Sequence, residues 1–317
     1  MGDTKRQHYV PRSYLKRFSF DGIQLHTFLI NKTCSTYYNE KDIHKVWKDI
    51  SISDVCVSKD YYTMKLQTLK SGMSPLDLEK KFFHDYAEPR LSNIINTFDE
   101  LAQDILKGKT DIASIQVTEE QRMSLIQAAF IQYFRSPRSR RPFVEIGSFI
   151  KQISELRQKE RGLHINNFSE LDVSYTHAYK TYANPFLFRS FAIKVSDYSM
   201  LIRVSENGNF FTSDNPVVIH KLGAKGKDIL QINILRDEFS LFFPLTPHII
   251  LELYNPSFFP EAISMNNTIS IVNKDYEDQV NRYQYVNAEN FIFSYKNDFS
   301  LFLKTNKTNG QTENAEP

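Results

Sequence analysis

Apolar residues recur along this chain at two different periods, and the places where the period changes constrain the fold most. Between residues 76 and 185 they recur every three or four positions. Leu78, Phe82, Phe83 and Tyr86 share one helical face, and Leu91, Ile94, Ile95, Phe98, Leu101 and Ile105 continue the stripe to Gly108. Ser74 with Pro75 supplies the helix start, and Pro89 kinks or restarts the helix. Thr118-Glu119-Glu120-Gln121 opens the next helix as a capping box, and its stripe of Met123, Ile126, Ala129, Phe130, Tyr133 and Phe134 ends near Pro137. A further helix is expected over 143–161, stopped by Gly162.

On either side the pattern turns to short β-type runs. They lie at 25–30, 55–57 and 61–64, then at 191–195, 199–204, 209–212, 240–243, 249–253 and 291–294. A short helix is expected over 273–285. The arrangement predicts an α+β fold in a single domain over 1–304, mainly β at 1–75, helical at 76–185 and mainly β at 186–304. The N- and C-terminal β segments would form one mixed sheet with the central helical region packed on it. The polar tail, 305–317, is expected to be disordered.

Composition narrows the class without naming a reaction. Of 317 residues, 41% are hydrophobic and 24% charged, as in a globular protein. The formal net charge is only +2, so a nucleic-acid role would rest on a local patch. Cys34 and Cys56 are too few for a disulfide framework or a cysteine zinc site. There is no signal peptide and no run of about 18 apolar residues, which predicts a cytoplasmic protein with no membrane partner. No Gly-x-Gly-x-x-Gly, His-Glu-x-x-His or Gly-x-Ser-x-Gly occurs. The stretch 223–228 lacks the spacing and the Ser or Thr of a phosphate loop.

Three constellations carry chemistry. In His8-Tyr9-Val10-Pro11-Arg12, Pro11 is placed to start a short helix, with His8 just before it and Arg12 beside it. His8 is either a site residue or part of an N-terminal anchor. In 132–141, Gln132 and Arg135 share one helix face, and Arg138, Arg140 and Arg141 follow. Guanidinium forks grip phosphate, so this is the clearest anion-binding candidate; the alternative is a solvated basic helix end. In 210–218, Ser213, Asp214 and Asn215 interrupt two apolar runs before Pro216. Asp214 is either a metal ligand or general base, or the acceptor of a local Asx turn. Acidic partners for a metal would be Glu79, Asp85 or Glu88, residues that equally suit a solvated face.

In this order, the three constellations resemble the bacterial family catalogued as domain of unknown function 4238. The resemblance rests on His8-Tyr9-Val10-Pro11 with Tyr14-Leu15 and Phe18, on Leu78-Glu79, and on Gln132 to Pro137 with Arg140. It continues through Phe211 to Val217, Phe243 to Pro247, Asn281, Ala288 and Phe293-Ser294, covering about residues 7–296. It implies one domain spanning both β segments, and that His8, Gln132, Arg135, Ser213 and Asp214 belong to the family pattern. It carries no established activity.

Three functions follow as expectations. The first is a metal-dependent phosphodiester hydrolase, a nuclease in phage defence or stress. His8, Asp214 and Ser213 would be catalytic, Asp214 and Glu79 would hold Mg²⁺ or Mn²⁺, and Arg12, Gln132, Arg135, Arg140 and Asn215 would bind substrate. The second is a non-catalytic nucleic-acid or nucleotide-binding module. The third is a buried polar network with no chemistry.

Overall fold

The computed structural model describes residues 6–30, 46–161, 171–223 and 233–302, the side chains of 157–161 excepted. Cys34, most of the rejected loop at 223–228 and the tail at 305–317 lie outside the described residues.

The chain opens with β1 (Arg6–His8) and a four-residue helix, α1 (Arg12–Leu15), with Pro11 in the capping position. β2 (Gln24–Leu29), β3 (Trp47–Ser51) and β4 (Val57–Lys59) follow. The strand expected at 55–57 begins later because Cys56 adopts a left-handed φ of 52°, which breaks strand geometry. No strand forms at 61–64. The Tyr62 amide donates instead to the Gln7 side chain, and that of Met64 to the Pro75 carbonyl.

The helical middle starts with a wide helix, α2 (Leu78–Ala87), bonded one residue further back than an α-helix. It runs directly into α3 (Glu88–Leu106). Pro89 lies in the first turn of α3, where its missing N–H costs nothing, so the helix is re-wound there and not broken. α4 (Glu119–Arg135) opens with both hydrogen bonds of the expected capping box. α5 (Pro137–Arg161) starts six residues earlier than expected, with Pro137 at its first position. α6 (Val173–Lys180) and α7 (Pro185–Lys194) complete the block. The run 191–195, expected as a strand, lies at the end of α7. Asn184 caps that helix by accepting the amides of Phe186 and Leu187, and Pro185 occupies its first position.

The remaining strands are β5 (Ser199–Ser205), β6 (Thr212–Ser213), β7 (Val218–Lys221), β8 (Phe239–Thr246), β9 (Ile249–Tyr254), β10 (Thr268–Val272) and β11 (Phe291–Ser294), with α8 (Lys274–Asn287) before the last. The protein is α+β. The two β-rich ends do share a sheet, β3-β2-β11-β6, but it is wholly antiparallel. The mixed sheet is separate and entirely C-terminal, ordered β10-β5-β9-β8-β7 with only β10-β5 parallel. β1 and β4 form a third, two-stranded sheet. One mixed sheet is therefore corrected to three sheets among the described residues. The reason lies at Ser213-Asp214-Asn215-Pro216, where the chain leaves β6 in the antiparallel sheet and enters β7 in the mixed one. Pro216 has no N–H for a ladder, so strand pairing stops there.

β8 and β9 are buried almost throughout, which explains their continuous apolar runs. α3 packs against them, while Val280 of α8 packs with Phe242 of β8 and Ile250 of β9.

Candidate functional site

The first constellation is tied down mainly through its backbone. Gln132 donates to the Tyr9 carbonyl at 3.2 Å, and Arg135 Nη2 donates to the His8 carbonyl at 2.7 Å. The two residues lie three apart on α4, so one helix face holds two successive carbonyls. Gln7, fully buried, accepts the Tyr62 amide at 2.6 Å. Tyr14 of α1 donates to the Pro244 carbonyl at 2.6 Å and lies 2.7 Å from Thr212 Oγ1, joining the opening motif to β6 and β8.

Arg135 is 2% exposed. Its Nε donates to Tyr62 Oη at 2.8 Å, its Nη2 also donates to Glu88 Oε1 at 2.8 Å, and its plane lies 4.0 Å from the centre of the Phe83 ring. Burial disfavours its charge, but Tyr62 and Glu88 more than offset this and hold its pKa above the ordinary arginine value. The guanidinium is thus engaged inside the protein. His8 is half-buried, its Nε2 is 3.3 Å from the Ile52 carbonyl, and burial lowers its pKa. Arg12 is exposed on α1.

The Ser-Asp-Asn-Pro turn is held by α8. Asp214 Oδ1 accepts the Glu289 amide at 2.8 Å, and Oδ2 accepts the Asn290 amide at 2.7 Å and side chain at 3.2 Å. Burial lifts this carboxyl to about 6, against the lowering effect of those three hydrogen bonds. Ser213 donates to Gln284 Oε1 at 2.9 Å, so its hydroxyl is directed at an amide, not at a general base. Asn215 donates to the Asn287 carbonyl at 3.1 Å.

Apart from Asn281, sequence reasoning missed the face of α8 that does this. Glu277, Asn281, Gln284 and Asn287 are all buried and recur at intervals of four, three and three residues. Asn281 accepts the Phe211 amide and donates to the Asn209 carbonyl, both at 2.8 Å. Gln284 donates to the Pro216 carbonyl at 2.7 Å, and Asn287 to the Asn215 carbonyl at 3.0 Å. The helix thus satisfies the backbone of a segment that has almost no strand partner. Its signal was available as a helical stripe of amide-bearing residues.

The four arginines of the second constellation differ in what they bind. Arg138 and Arg141 both reach Glu289, at 3.3 and 2.7 Å. Arg135 is paired with Glu88. Among the described residues Arg140 pairs with no carboxylate: its Nη2 donates to Ser174 Oγ at 3.0 Å, and its plane lies 4.4 Å from the centre of the Tyr61 ring. Its Nη1 is buried and has no hydrogen-bond partner among the described residues. Arg140 lines a pocket of about 310 Å³ with Thr63, Lys65, Ser148, Lys151 and Ser174. Asp172 also lines it, but its carboxylate accepts the amides of Lys65 and Tyr175 and the Thr68 hydroxyl.

The expected site residues therefore fall into separate hydrogen-bonded groups. Gln132 and Arg135 meet the His8 segment, while Ser213, Asp214 and Asn215 meet α8 and the residues that follow it. The hydrogen bonds of Asp214 go to 289–290, and those of Arg135 go elsewhere. Glu79 is part-buried near Arg135 and Glu88, has one buried oxygen without a hydrogen-bond partner, and shares no partner with Asp214. Among the described residues, no three His, Cys, Asp or Glu side chains are grouped to hold a metal ion. No described helix is long and apolar enough to cross a membrane.

An α+β fold with the opening motif, the arginine helix end and the sheet-switching turn locked together is the class this geometry defines. The pattern of the family described as "Protein of unknown function (DUF4238)" matches residues 6–298, and the chain belongs to that family. No curated protein and no solved structure matches it.

Proposed function

We propose that the protein is a non-catalytic binding module for a phosphate-bearing ligand, a nucleotide or a nucleic-acid backbone, received at the Arg140 pocket. The carrying observation is that Arg140, alone among the four clustered arginines, has a buried guanidinium nitrogen without a hydrogen-bond partner among the described residues, while lining a pocket with Lys65 and Lys151. A guanidinium beside two ammonium groups and two serines is phosphate-binding chemistry. A larger pocket of about 730 Å³ beside Phe134 and Phe143 also has Lys180 and Arg138 in its lining, but Arg138 is already paired with Glu289. A cytoplasmic setting goes with this reading.

Metal-dependent phosphodiester cleavage is the second reading. In its favour, the Asp214 carboxyl is lifted to about 6, as in many general bases. Against it, both carboxylate oxygens already accept hydrogen bonds and the residue is fully buried.

Fluorescence anisotropy with labelled single-stranded DNA, RNA and ATP across a salt series tests the proposal. Binding should weaken steeply with salt, and Arg140→Gln should weaken it and flatten the salt slope by about one phosphate contact. Salt-insensitive or absent binding removes it. Cleavage with Mg²⁺ or Mn²⁺ that Asp214→Asn abolishes without lowering the melting temperature would put the second reading first.

A further inference from the structure

α5 carries an apolar seam that no described part of the chain covers. Ile146, Phe149 and Leu156 are 53%, 62% and 59% exposed, and Ile153 between them is partly exposed. Their spacing of three, four and three residues is the a/d pattern of a two-helix coiled coil, and the partly exposed Ile150 flanks it at an e position. Apolar side chains contiguous on one exposed helix face mark an interaction surface.

We propose that this seam pairs α5 with α5 of a second copy of this chain, antiparallel about a two-fold axis near residue 151. Two features select that occupant. The seam is self-complementary when reversed: Ile146 meets Leu156 of the copy, and Phe149 meets Ile153, giving four layers with no polar side chain in them. The flanking charges agree with the same alignment. Glu145 and Gln152 occupy equivalent flanking positions one heptad apart, and the next such position of the helix, 159, is a lysine in the sequence. Reversal about the axis sets position 145 opposite position 159, acid against base, and Gln152 opposite itself. A parallel pair would set Glu145 against Ile150 and lose that match.

The seam lies about 150° round the helix from Val144, Ser148 and Lys151, while Ile150, which also lines the Arg140 pocket, flanks it. A contact of four layers is about 15 Å long and falls short of the roughly 1,200 Å² of a stable interface, so the dimer is weak and concentration-dependent.

Sedimentation velocity of the full chain, from about 1 to about 200 µM, spans the range expected of such a dimer. Wild type should shift from monomer to dimer. Phe149→Glu should weaken association at least about tenfold with an unchanged thermal melt, because the side chain is mostly exposed. In a Cys34→Ser background, Gln152→Cys should form a disulfide-linked dimer under mild oxidation, which only the antiparallel alignment allows. A chain that stays monomeric overturns the proposal, as does a dimer that Phe149→Glu leaves intact or that Gln152→Cys fails to cross-link.

Discussion

Asp214 accepts the backbone amide of Glu289 at 2.8 Å, and the Glu289 carboxylate holds both Arg138 and Arg141. The turn that switches the chain between sheets is thereby coupled to the start of α5. The Arg140 pocket is built on that same helix.

Acid should reveal Asp214. Its carboxyl is lifted to about 6 in the folded protein, above the ordinary value of about 3.9 in an unfolded chain. The folded state therefore binds this proton first. The resulting stabilisation is fully present below about pH 4 and is lost as pH rises through about 6, an effect on the order of 2–3 kcal/mol. Urea denaturation between pH 4 and 7 should show this component in wild type and not in Asp214→Asn. Parallel profiles for the two proteins would contradict it.

Arg135→Met should destabilise strongly. It strands the Glu88 carboxylate, the Tyr62 hydroxyl and the His8 carbonyl, at a cost of about 3–5 kcal/mol. Arg140→Gln, at a part-exposed site without an acidic partner, should cost less than about 1 kcal/mol. Equal losses in chemical denaturation would show that the two arginines do not differ as described.

On α8, Asn281→Ala removes partners from the buried Phe211 amide and Asn209 carbonyl and should cost about 2–3 kcal/mol. Gln279→Ala, on the exposed face of the same helix, should stay within about 0.5 kcal/mol. Thermal melts of both variants compare the two faces directly.

Neutralising Glu289 should alter anion binding from a distance. Glu289→Gln leaves Arg138 and Arg141 without their carboxylate and should tighten oligonucleotide binding several-fold at low salt. Arg138→Gln and Arg141→Gln should each change affinity less than Arg140→Gln does. The anisotropy titration that tests the pocket also ranks these variants, and an effect of Arg141→Gln as large as that of Arg140→Gln would mean the whole helix end binds the anion.

Features that local bonds control could be read from the chain alone. The start of helix α4 was legible to the residue because Thr118 and Gln121 cap each other across one turn. α8 and β11 were legible because their periods are set by immediate neighbours. The motif residues were also visible as unusual types in unusual order. What they do was decided by tertiary structure. Asp214 is an acceptor for 289–290, and Arg135 is an anchor for the His8 carbonyl; both contacts join residues 75 or more positions apart, except for the Glu88 pair at 47. Such partners leave no local period. The run 191–195 has β-type residues yet finishes a helix, because the Asn184-Pro185 start upstream outweighs its propensity. The division into separate sheets was likewise invisible, since it depends on which distant strand each edge meets across the Ser213–Pro216 turn. The difference between Arg140 and its three neighbours arose only when Glu88 and Glu289 folded in to take the others, because charge pairing is a property of distance in space and not of order along the chain.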